Sequence, residues 1–229
     1  MPTSRVIIVL YAFIATANVM ASRAGHASLE WATKPLLMPL LAGVVAFAAH
    51  EAGRRPSRTL LAALGFATAG DVALMVDGTL PFLIGMAAFL GCQAFLIISF
   101  VRAKARPLPW VALLYGVGFA VAVGSLWSGL GSLALPVTLY AVALTTMATL
   151  AAGLGWRIGL GGLLFFTSDL LLAVDLADVV HTGPWVMLTY VVGLALIVTG
   201  WITRPAPPSI PQPRPASDPA AAPAPVPRA

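Results

Sequence analysis

Apolar residues along this chain gather in long blocks, each closed by charge, Pro or Gly, instead of the spaced stripe of a soluble helix. A helix that crosses a bilayer needs about 20 mostly apolar residues. Eight blocks meet or approach that length, at 5–22, 34–50, 58–77, 80–102, 107–128, 132–152, 157–176 and 184–203. The pattern predicts an all-α fold, a polytopic membrane helix bundle of about eight transmembrane helices spanning residues 1–203. Small residues in "ANVMASRA" would allow a signal-peptide cut after the first block, but the single Arg5 is a poor n-region, and the block is read as a span. After Arg204 the pattern ends, and "PAPPSIPQPRPASDPAAAPAPVPRA" predicts a disordered Pro/Ala-rich tail over 204–229, a spacer whose PxxP spacings also suit docking.

Composition agrees with the blocks: 59% of residues are hydrophobic and 9% are charged, far from the balance of a soluble domain. The formal charge of +5 does not point to nucleic acid, because the cations sit at block ends instead of clustering in one domain. With the N-terminus in the cytoplasm, Arg5, Arg54, Arg55, Arg58, Arg102, Lys104, Arg106, Arg157 and Arg204 fall on that side, against Arg23 and Lys34 on the other. Nine against two follows the positive-inside rule and predicts both termini in the cytoplasm. The expected location is a bacterial plasma membrane that the chain crosses several times. Cys92 is the one cysteine, which precludes an internal disulfide or a thiolate cluster and is read as small apolar packing.

Two carboxylates interrupt the apolar blocks. Setting "GFATAGDVALMVDG" against "LLFFTSDLLLAVD" aligns Asp71 with Asp169 and Asp77 with Asp175, which suggests a parallel repeat of four helices. Asp71 lies 13 residues into its block and Asp169 12 into its own. At about 1.5 Å per residue both are roughly 18 to 20 Å from the same surface. Asn18, Tyr140 and Tyr190 lie 13, 12 and 13 residues from that surface and Gln93 lies 9, so six helices contribute to one polar belt. Asp77 and Asp175 come six residues later, at block ends where water reaches them.

An intramembrane carboxylate is expensive and usually faces a cavity where it works. The competing reading is a carboxyl kept neutral by Thr68 or Ser168. Two carboxyl groups in a dry site can divide the roles of proton donor and charge stabiliser, which suits cleavage through an oxocarbenium-like cation. His26, His50 and His181 all fall in loops or at block ends, so neither a three-His zinc site nor a serine triad is expected, and no metal or cofactor is predicted. Gly161 and Gly162 are read as helix-packing residues. Lys34, at the outer start of its block beside Pro35, is placed either to hold a lipid phosphate or to anchor the helix at the interface.

"TKPLL" at the second block, "GD" at Gly70 and Asp71, "FLIGMAAF", "LPVTLYAVALTTMATLA" and "LLFFTSD" together resemble the lysoplasmalogenase-like (YhhN) family of eight-span membrane proteins, over about residues 5–203. The resemblance implies hydrolysis of the vinyl ether bond of a lysoplasmalogen-type lysophospholipid to a fatty aldehyde and a glycerophospho-headgroup. It puts Asp71 and Asp169 on the family's two intramembrane aspartates. The chain departs from the family pattern where the fourth span carries His and, three residues later, Tyr: here stand Gln93 and Leu96. Gly193 stands where the eighth span carries Gln. The expected machinery is Asp71 and Asp169 as acid and base or stabiliser, Lys34 near the phosphate, and Gln93, Tyr140, Tyr190 and Asn18 orienting the substrate. Two other readings remain: a proton-coupled transporter with carboxylates at a repeat interface, and a lysolipid-binding member without turnover.

Overall fold

A computed structural model of the chain describes residues 1–130, 134–176 and 183–204, and of residues 122–123, 125–130 and 176 the backbone alone. The expected tail and His181 lie outside the described residues, apart from Arg204 at the tail's start. The described residues form eight helices, α1 (Thr3–Ala24), α2 (Ala27–Glu51), α3 (Arg58–Ala73), α4 (Thr79–Arg102), α5 (Pro109–Leu130), α6 (Ala134–Ala152), α7 (Trp156–Leu176) and α8 (Gly183–Ile202). Among the described residues six helices are long and apolar enough to cross a membrane. The protein is an all-helical integral membrane bundle whose outward faces carry large apolar side chains such as Phe13, Leu113 and Leu135.

Two helix boundaries differ from the sequence expectation. Gly25 ends α1 in the left-handed conformation (φ 70°), and the His26 carbonyl at once accepts from the amides of Leu29 and Glu30. As a result α2 begins at Ala27 and not at 34, and Lys34 lies two turns inside it instead of at its first residue. The early part of α2 holds Ser28, Glu30 and Thr33, whose polarity hid it from a search for apolar blocks. Pro35 and Pro39 are thus interior prolines, not first-turn residues, and each removes a rung from the helical ladder. At the other difference, α3 stops at Ala73 instead of 77. Leu74 to Val76 continue as turns closed by the amides of Met75 and Val76, and Asp77 stands exposed beside Gly78 (φ 123°). With 16 residues, α3 rises only about 24 Å and sits between α2 and α4.

The packing order repeats. α1 lies on α2, α2 on α3 and α3 on α4, just as α5 lies on α6, α6 on α7 and α7 on α8. Across the halves α4 packs on α6 and α8 on α2, which is the same contact with the halves exchanged. The suggested four-helix repeat is matched in this order but not throughout, since α8 also packs on α1 and α4 makes no comparable contact with α5 among the described residues. The α7–α8 seam is close, as a Cβ on Gly161 would come 2.6 Å from the Gly193 carbonyl oxygen. Its neighbour Gly162 faces α6 instead, with Ala151 2.6 Å from where its Cβ would be. Both glycines do the packing work their sequence suggested, letting backbones meet where lipid gives no hydrophobic drive to association.

Candidate functional site

Asp71 and Asp169 lie thirteen residues beyond the first residues of α3 and α7, Arg58 and Trp156, so they share a level. Each receives a phenol from a helix distant in sequence. Tyr190 of α8 donates to Asp71 Oδ2 at 2.7 Å, and Tyr140 of α6 donates to Asp169 Oδ2 at 2.6 Å. Gln93 Nε2 of α4 reaches Asp169 Oδ2 at 3.5 Å, the outer limit of a hydrogen bond. The Lys34 charge of α2 acts on Asp71. The two phenols thus come from α8, in the other half from Asp71, and from α6, the neighbour of α7 in the same half as Asp169. Neither Thr68 nor Ser168 fills the role considered for it, since the Thr68 hydroxyl donates to the Leu64 carbonyl and the Ser168 hydroxyl to that of Val186.

The two stations differ in access. Asp71 is 2% exposed, and the Tyr190 ring that donates to it belongs to an aromatic triad in which the Phe89, Phe165 and Tyr190 rings meet edge to face at 5.8 to 6.4 Å. Gly70 is the reason Phe89 can lie there, because a Cβ on it would come 2.7 Å from that ring. Asp169 is only half-buried and lines two clefts of about 110 and 90 Å³ that share Val137, Tyr140 and Ala173. Their remaining walls are apolar apart from Thr145, with Phe82, Met86 and Phe89 on one side and Phe119, Leu144 and Phe166 on the other. Asp71 lines neither cleft.

Gln93 is fully buried, and its carbonyl Oε1 has no partner among the described residues, so a polar atom beside Asp169 is left for water or a substrate hydroxyl to satisfy. Asn18 donates through Nδ2 to Thr33 Oγ1 at 2.8 Å, tying α1 to α2, and its Oδ1 is likewise buried without a partner. Asp77 is exposed and Asp175 half-buried near the end of α7. Among the described residues no three His, Cys, Asp or Glu side chains converge on a point.

Cys92 packs as its sequence suggested: it is fully buried in the same apolar cluster as Phe89, Leu96 and Phe165. Phe89 and Phe165 stand beside the acids' partners without being candidates in the sequence. The signal for Phe89 is present there: Gly85, Phe89, Cys92, Gln93 and Leu96 follow the spacing of one helix face, and that face is the buried one.

A family model described as the YhhN family matches residues 29–201. Neither the curated proteins nor the solved structures searched give a match.

Proposed function

The chain belongs to the YhhN family, and on that premise we propose that it is a membrane hydrolase that cleaves the vinyl ether bond of lysoplasmalogen-type lysophospholipids. The observation that carries this reading is the pair of phenol-bonded carboxyl groups at one level, one sealed with a cation in electrostatic reach and the other open to apolar clefts. In the proposed mechanism the alkenyl chain lies in the clefts against Asp169. The carboxylic acid of Asp169 delivers a proton to the β-carbon of the vinyl ether, and the electron pair of the double bond takes it up. The α-carbon and ether oxygen then share the positive charge of an oxocarbenium ion.

Asp71, its own charge offset by Lys34, stabilises that cation through the dry site, where charges act over longer range than in water. A water held at Gln93 Oε1 adds to the α-carbon and loses its proton to the Asp169 carboxylate. The resulting hemiacetal collapses to a fatty aldehyde and a glycerophospho-headgroup, with one water consumed. Tyr140 fixes Asp169 and Tyr190 fixes Asp71. In this reading both termini face the cytoplasm. The headgroup phosphate lies toward Lys34, and no cofactor takes part.

The test is mass spectrometry of purified protein incubated with lysoplasmenyl lipid. Aldehyde release by the wild type and its loss in Asp169→Asn, with the variant still folded in the membrane, is the expected result. Proteoliposome uptake that is driven by a pH gradient and requires Asp71, with no covalent product, would replace the hydrolase by the transporter. Tight lysolipid binding without turnover would make the chain a binding member of the family.

A further inference from the structure

The other end of the bundle carries a second feature that the acids do not use. There the α2–α3 turn and the ends of α4 and α8 surround a cleft of about 630 Å³ lined by Arg54, Arg58, Arg102, Lys104 and Arg204. Trp201 forms part of its wall, and no carboxylate belongs to its lining among the described residues. A positive-inside bias explains why cations lie at this end, but not why five of them face one hollow. Like charges gathered this way repel unless an anion sits among them.

Two of the arms are held in place. Arg54 Nη2 donates to the Ile202 carbonyl at 3.4 Å and Arg204 Nη2 to that of Ala103 at 3.2 Å. The Arg204 guanidinium also lies 5.4 Å from the Trp201 ring centroid. Lys104 has a left-handed backbone (φ 56°), a conformation that residues with side chains seldom adopt. The lining includes Ser57, Thr59 and Ser99, the last two joined by a 2.7 Å hydrogen bond. The one carboxylate at this end among the described helices, Glu51, is engaged elsewhere: it accepts from the Ser4 amide at 2.9 Å and from the Ser4 hydroxyl.

We propose that this cleft binds a phosphate-bearing anion, with a membrane lipid headgroup as the source its position favours. Guanidinium forks and a Lys ammonium are the donors that suit phosphate oxygens, and hydroxyls supplement them. Trp201 in the wall, at a helix end, is a residue suited to headgroup depth. The site is separate from Lys34 and from the two acids, and it does not depend on the hydrolase reading.

The experiment puts the full-length protein into nanodiscs of mixed phosphatidylglycerol and phosphatidylcholine and counts retained lipid by native mass spectrometry. A parallel arm titrates inorganic phosphate and glycerol 3-phosphate into the detergent-solubilised protein by calorimetry. The wild type should retain phosphatidylglycerol over phosphatidylcholine, and the combined substitution Arg58→Gln, Arg102→Gln should lower that preference about tenfold or more. Lys104→Gln, at the exposed rim, should lower it about fivefold and keeps the test alive if the double variant does not fold. Arg23→Gln, on the opposite end, should change nothing. Binding of soluble phosphate that depends on the same arginines, without lipid preference, would assign the phosphate site to a soluble ligand. Equal retention of the two lipids together with no phosphate binding, or an equal loss in Arg23→Gln, would overturn the proposal.

Discussion

Asp71 and Asp169 hold matching places in the two halves of the bundle, yet their surroundings have diverged. The α8 helix gives Asp71 a tyrosine and α2 gives it the charge of Lys34, whereas α6 gives Asp169 a tyrosine and α4 gives it a neutral amide. Asp71 is 2% exposed and lines neither cleft, while Asp169 borders both. A repeated scaffold has thus produced two carboxyl sites that differ in charge balance and in access. Those are the two variables that separate a substrate-facing acid from a fixed electrostatic partner.

The largest expected effects bear directly on that division. Asp169→Asn should cut aldehyde release by about a thousandfold, within the usual range for losing a general acid or base, and Asp71→Asn by roughly a hundredfold. Initial rates on lysoplasmenyl lipid, with protein matched by membrane content, would rank them. A reversed ranking would exchange the two roles. Next comes the scaffold itself. In Gly161→Ala the new methyl would press on the Gly193 carbonyl and on Ile197, so the α7–α8 seam must part, at a cost of about 2 to 3 kcal/mol. A thermal melt in detergent should show a clear drop in midpoint, and an unchanged melt would mean that the seam yields freely.

Much of this comparison was legible in the sequence. Counting residues from block ends placed Asp71, Asp169, Tyr140 and Tyr190 at one level, because a helix rises by a fixed step and depth is linear in residue number. What counting cannot give is which phenol meets which acid. That depends on which faces pack, and helices apolar on every side carry little periodicity to reveal a face. Lys34 was misplaced for a related reason: the start of α2 is set by the Gly25 turn and the His26 carbonyl, not by the onset of hydrophobicity.

Smaller effects would sharpen the contrast between the stations. Tyr140→Phe and Tyr190→Phe each remove a hydrogen bond to a carboxyl oxygen, worth about 1.5 to 3 kcal/mol when the acceptor is charged. Tyr140→Phe should lower turnover roughly tenfold with the fold intact, as it touches the open acid. Tyr190 is part of the buried aromatic triad, so Tyr190→Phe should slow turnover less and show a lower melting midpoint. Equal effects on rate and melt in both variants would mean that access does not distinguish the stations.

The smallest effect concerns Asn18, at the level of the acids but joined by its amide to Thr33, with no bond to either carboxyl group among the described residues. Thr33 does not need that bond as an acceptor to satisfy its own hydroxyl, which donates to the Leu29 carbonyl at 2.6 Å. Asn18→Leu removes the Nδ2 donor and, with it, the buried Oδ1 that has no partner. Losing a bond while also losing an unsatisfied polar atom should nearly cancel, leaving stability within about 1 kcal/mol. Turnover should stay within about twofold if Asn18 only ties α1 to α2. A tenfold rise in KM with an unchanged melt would instead mean that Oδ1 reaches the substrate, extending the working surface from the acid stations to α1.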